Sequence, residues 1–141
     1  MSDSFKPADH HPRYIECMKL DKLTTLMVVP SIEPCLPAWE ALGYTVAVRV
    51  PETGKLGFVI LKSKSGELML QSKKSFAEDL PAVAARRPTA LFYADVSSVT
   101  EAEKALRGAK VLVPRRKTFY GATEAWLELE GKVVIGLSEH G

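Results

Sequence analysis

The chain states one pattern twice. Residues 24–48 read as strand, turn, short helix, glycine stop and second strand, and residues 89–113 repeat that order. A single offset of 65 residues lays Thr24 on Thr89, Leu26 on Leu91, Gly43 on Gly108, Val46 on Val111 and Val48 on Val113. The same offset carries Gly66 onto Gly131, in each half a turn glycine ahead of a strand. A repeat of this length is one supersecondary unit made twice. It limits the chain to folds in which two similar units lie side by side.

Each unit continues the same way. Residues 23–29 are apolar and β-rich, then Pro30 and Ser31 stop the strand, with Ser31 a candidate helix cap. Pro34 and Pro37 confine the first helix to about residues 35–42, because proline is tolerated only near a helix start. Gly43 and Gly108 suit the left-handed position that ends helices. Val46, Val48 and Val50 alternate with Thr45, Ala47 and Arg49, the period of a half-buried strand. Strands are expected over 56–62 and 67–71, then a linker helix in which Ser75 and Glu78 have capping-box spacing and Pro81 interrupts. The second unit gives strands at 90–96, 111–113, 123–129 and 133–137. Its helix follows Ser98 and Glu101, a second capping box. Arg115, Arg116 and Lys117 fall in what reads as a solvated loop. The expectation is an α+β domain of two tandem βαβββ modules, with curved mixed sheets around a cavity. Residues 1–20 form an arm and 21–141 one domain: module one about 22–74, a linker helix about 75–87, and module two about 88–138.

Bulk properties narrow the function. A length of 141 residues is enough for one cored domain. A formal charge of +2, with acids and bases interspersed, lacks the basic footprint of a nucleic-acid binder. No apolar run approaches a membrane span, and the polar start has no signal core, so a cytoplasmic setting is expected. Cys17 and Cys35 make no disulfide framework.

The order of elements resembles the vicinal oxygen chelate superfamily, in its glyoxalase, bleomycin-resistance and dioxygenase branch. Residues 26–44 (LMVVPSIEPCLPAWEALGY), GELMLQ, FYGATEAW and EGKVVIGL carry the resemblance. It implies a concave cavity for a small organic ligand, and a homodimer. It also places a divalent metal on the first and last strands of each module. Carried over, those places are Thr24 and Thr89, then Leu70 and Ile135, or Met69 and Val134 with a slip of one; only a larger slip reaches a carboxylate, Glu67. None of the first six is a competent ligand for such a cation. His10, His11 and His140 all lie outside the expected strands. The expected cofactor is therefore none, with no divalent metal.

The expected ligand-binding residues are Thr24, Thr89, Leu91, Tyr93, Tyr120, Glu124, Trp126 and Ile135. Leu91 and Tyr93 share a strand face with Thr89 and Asp95. Phe119, Tyr120 and Gly121 suit a pocket rim. Glu124 and Trp126 share another face, where an acid and an indole suit a cationic or aromatic ligand. The leading reading is a metal-free binder of a small molecule, of the drug- or antibiotic-sequestering type. The formal charge shows no acidic excess of the kind a binder of a cationic glycopeptide would carry. Two alternatives stand beside it. One is an enzyme: a metal-dependent isomerase or dioxygenase, or a metal-independent lyase using Tyr93 or Glu124 as acid or base. The other is a protein-interaction domain with a filled cavity.

Overall fold

The computed structural model describes residues 19–141, so all but the last two residues of the expected arm, with His10, His11 and Cys17, lie outside the described residues. The first module holds β1 (Lys22–Val29), a 3-10 turn (Glu33–Cys35), α1 (Leu36–Ala41), β2 (Thr45–Val50), β3 (Phe58–Ser63) and β4 (Gly66–Ser72). A linker of α2 (Lys73–Asp79) and α3 (Pro81–Ala84) follows. The second module holds β5 (Ala90–Asp95), α4 (Val99–Ala105), β6 (Lys110–Lys117), β7 (Ala122–Glu128) and β8 (Val133–His140). All eight strands join one curved mixed sheet in the order β2-β3-β4-β1-β5-β8-β7-β6.

The offset of 65 persists in the pairing. Leu26 lies opposite Met69 in the parallel pair β1/β4, and Leu91 lies opposite Val134 in β5/β8. The register shifts between Val46 and Val48 in one hairpin, and between Val111 and Val113 in the other. Gly43 and Gly108 both take positive φ, 96° and 98°, the conformation that only glycine adopts without strain. The modules meet where β1 runs antiparallel to β5, with Thr24 opposite Tyr93 and Lys22 opposite Asp95.

The sheet packs helices on both sides. On the convex face of module one, Ile32, Leu56, Val59, Leu61 and Leu70 form a core with α1 residues such as Trp39. On that of module two, Val99 and Ala102 of α4 pack on Ala125, Leu127, Ile135 and Leu137. The linker crosses to the concave face instead. Phe76, Leu80 and Val83 pack on Leu26, Met69, Leu91, Trp126 and Val134, closing one end of the hollow. Each such fully buried side chain stabilises the fold by about 1.5–3 kcal/mol. A bidentate ion pair from Arg86 to Glu128 ties the end of the linker to β7.

Four local expectations are corrected. Ser31 caps nothing, since neither the 3-10 turn nor α1 has a side-chain cap; its carbonyl accepts the Cys35 thiol instead. The linker helix starts earlier than its capping-box spacing suggested: Ser72 is the N-cap and its hydroxyl accepts from the Ser75 N–H. Strand β2 is exposed along its whole length rather than half-buried, because it is an edge strand with Val48 and Val50 on the wall of an open cavity. Strand β6 runs on through Pro114 to Lys117, so Arg115–Arg116–Lys117 is strand rather than loop. An edge strand tolerates proline because its outward N–H has no ladder partner. The Ser98 cap is as expected, accepting from the Glu101 N–H.

Candidate functional site

The concave face encloses a cavity of about 690 Å³, open to solvent. The pairing arranges the concave face in rows across the sheet. In module one, Val50, Phe58 and Gln71 form one row, Val48, Ile60, Met69 and Leu26 the next, and Lys62 and Glu67 the last. In module two, Tyr93, Gly136 and Trp126 form one row, and Asp95, Ser138, Glu124 and Arg116 the next. Ser75, Glu78, Asp79 and Leu80 of the linker line one end; Lys22, Asp95 and His140 line the rest of the wall.

The two halves differ in chemistry. Module one contributes an apolar, half-open wall. Module two contributes a buried polar network centred on Glu124, which is 2% exposed. Its carboxylate accepts from the Tyr93 hydroxyl at 2.5 Å and the Tyr120 hydroxyl at 2.9 Å. It also accepts from Trp126 Nε1 at 2.8 Å and from Arg116 Nε and Nη2 at 3.2 and 2.8 Å. Arg116 reaches on to Asp79 of α2 at 3.2 Å. The two phenol oxygens stand 2.7 Å apart.

Burial pushes the Glu124 carboxyl up, but the donors from Tyr93, Trp126, Arg116 and Tyr120 outweigh it, leaving it below the ordinary carboxylate value. Burial, then the Glu124 charge, raises the Tyr93 phenol above its usual range. Burial also pushes the Tyr120 phenol up, to about 12. The network therefore holds an ionised acid and two neutral phenols. The buried Ser138 hydroxyl stands beside Tyr93 without closing a hydrogen bond of good geometry. Beneath the network, Gly136 lets the indole lie on β8: a Cβ there would sit 2.7 Å from the Trp126 ring.

Of the residues expected from sequence, Tyr93, Tyr120, Glu124 and Trp126 come together on the cavity wall. Leu91 lies in the core below it. Thr24 is buried opposite Tyr93, at a smaller cleft of about 360 Å³ beside the β3–β4 turn. Thr89 lies just before β5, its hydroxyl donating to the Gly131 carbonyl, away from the cavity. Ile135 is on the opposite face, packed in the core under α4. Sequence reasoning missed Arg116, Gln71, Asp95 and the apolar wall. It also left His140 outside any strand, whereas His140 ends β8 and faces Asp95 at 3.4 Å.

The residues at the superfamily's metal places do not form a ligand set. Thr24, Thr89, Leu70, Ile135, Met69 and Val134 offer no strong donor, and Glu67 is engaged by Lys22 at 2.9 Å and Lys62 at 3.7 Å. Among the described residues no group of three His, Cys, Asp or Glu side chains comes together as a metal site. Also among them, no helix is long and apolar enough to cross a membrane.

This arrangement of strands and cavity is the fold of the glyoxalase/bleomycin resistance/dioxygenase superfamily. A superfamily member from Vibrio splendidus superimposes with a TM-score of 0.62 at 12% identity, over 84% of this chain and 97% of that one. Methylmalonyl-CoA epimerase from Mycobacterium tuberculosis gives 0.64 at 14% identity, over 93% and 96%. A protein from Staphylococcus aureus gives 0.60 at 14% identity, over 88% and 100%. No protein-family model matches the sequence, and no curated protein matches it.

Proposed function

We propose that this protein binds a small organic molecule in the concave cavity without a metal, holding the ligand rather than transforming it. The saturation of Glu124 carries the reading. A general base needs a free lone pair at the reacting proton and a pKa near the working pH. Glu124 instead receives five donors and sits below the usual carboxylate range. Tyr93 and Tyr120 are shifted the wrong way for phenolate chemistry. The rest of the cavity, an apolar wall with a few polar groups at its ends, is the usual lining of a ligand pocket.

Sequestration of a drug or antibiotic is the form of this activity that the reading favours. The cavity is open rather than filled, which supports a ligand over a surface-only interaction role. Native mass spectrometry of protein isolated from its own host provides the test. We expect a retained organic mass that leaves on denaturation, no stoichiometric metal, and a subunit count of two. Stoichiometric, tightly held zinc, nickel, iron or manganese would overturn the metal-free reading.

A further inference from the structure

The hydroxyl protons of the network define what the cavity can offer. A tyrosine has one O–H proton. That of Tyr93 goes to Glu124, and so does that of Tyr120. Trp126 Nε1 and the Arg116 guanidinium also point at Glu124, and Arg116 spends its remaining reach on Asp79. The Tyr93, Trp126 and Arg116 donors with a partner in this wall are thus spent on Glu124 and Asp79. Toward the cavity Tyr120, half exposed, presents a lone pair, and Glu78 and Asp79 of the adjoining linker present carboxylates.

Charge follows the same division. The lining holds the acids Glu67, Glu78, Asp79, Asp95 and Glu124 against Lys22 and Lys62, although the whole chain is formally +2. At the far end Lys22 and Lys62 both engage Glu67, and Asp95 faces His140. At the linker end Asp79 and Glu124 share the Arg116 guanidinium, and the Glu78 carboxylate lines the cavity beside them. That end is acidic and donor-poor, next to an apolar wall.

Resting on the small-molecule reading above, we propose that the ligand is an amphiphilic amine. Its apolar body lies on Leu26, Val48, Val50, Phe58, Ile60 and Met69, and its N–H-bearing cation meets Tyr120, Asp79 and Glu78. A carboxylate ligand would bring acceptors to acceptors and charge to like charge. A quaternary ammonium would supply the charge and none of the donors.

The test uses the full chain and calorimetry with four probes of one skeleton: 4-phenylbutylamine, 4-phenylbutan-1-ol, 4-phenylbutyrate and 4-phenylbutyltrimethylammonium. We expect the amine to bind at least ~30-fold tighter than the carboxylate and ~5-fold tighter than the quaternary ion, as charge-assisted hydrogen bonds require. The double variant Glu78→Gln/Asp79→Asn, checked for an unchanged melting curve, should cut the amine-to-carboxylate ratio to below ~5-fold. Equal binding of amine and carboxylate, or of amine and quaternary ion, overturns the proposal, as does an unchanged ratio in the variant. If the alcohol binds and the amine gains nothing over it, the amine class falls and the small-molecule reading stands. If none of the four binds, both fall.

Discussion

Beside Gln71 on β4 the first module places Phe58 across the hairpin; at the matching position the second module has Gly136 with Trp126 beside it. The backbone around both pairs is the same repeat, yet the outcomes are opposite. Phe58 is half-buried on an open wall, whereas the Trp126 indole is buried over the bare glycine and donates to Glu124. One half of the duplicated sheet leaves its concave face open to the cavity. The other fills its face with a hydrogen-bonded network around Glu124. Duplication alone does not make a symmetrical site; a single position without a side chain is enough to change how a whole row packs.

The sharpest way to break that comparison is to truncate both aromatics. Trp126→Ala should cost about 3–5 kcal/mol, as expected for a buried aromatic. Phe58→Ala should cost roughly 1 kcal/mol, because its ring already faces solvent on one side. Urea denaturation of the two variants measures the difference, and equal losses would mean that the modules are packed alike.

Glu124→Gln comes next. It replaces a charged acceptor with a group that must also find a place for its own N–H donors, at about 2 kcal/mol. The Tyr93 phenol, raised first by burial and then by the Glu124 charge, should then titrate at lower pH because the second contribution is gone; ultraviolet titration checks this. Gly136→Ala should cost about 1–3 kcal/mol by forcing the indole off β8, while Gln71→Ala should cost less than ~1 kcal/mol. Near-ultraviolet circular dichroism reports the indole's displacement.

The smallest effect is the pH profile. Glu124 is depressed in the fold, so its contribution is present above the unfolded carboxylate value and is lost as pH falls through the lower folded one. Tyr120 and Tyr93 are raised, so theirs is present below the unfolded phenol value and is lost as pH rises past it. Melting curves should therefore show stability falling at both extremes in the native chain, with the acid-side loss reduced in Glu124→Gln.

Much of the fold was legible because glycines carry backbone information. Gly43, Gly66, Gly108 and Gly131 mark turns at a constant spacing, and all four take positive φ. The site was legible only where a polar or aromatic residue stood out from an apolar strand, as at Tyr93, Glu124 and Trp126. Ile135 was placed by counting from a turn glycine, and a count that is off by one moves a side chain to the other face. The pairing of Trp126 with Gly136 assigns Val134, Gly136 and Ser138 to the cavity side and leaves Ile135 under α4. Arg116 was hidden because Pro114 looked like the end of a strand. The apolar wall was hidden for a deeper reason: Val48, Ile60 and Met69 look the same whether they fill a core or face a ligand.

The paired register shifts near Val46 and Val111 have a consequence for the molecule in a crowded solution. The sheet never closes, so β2 and β6 leave two free edges, and β2 is exposed along its whole length. A long flat edge rich in valine invites another chain to add a strand and start an aggregate. Here each edge strand is irregular where it would otherwise be most regular, and a proline lies at the end of one and within the other, at Pro51 and Pro114. Bulges twist an edge away from such pairing. The irregularity that the duplication copied into both edges therefore also acts as a guard against polymerisation.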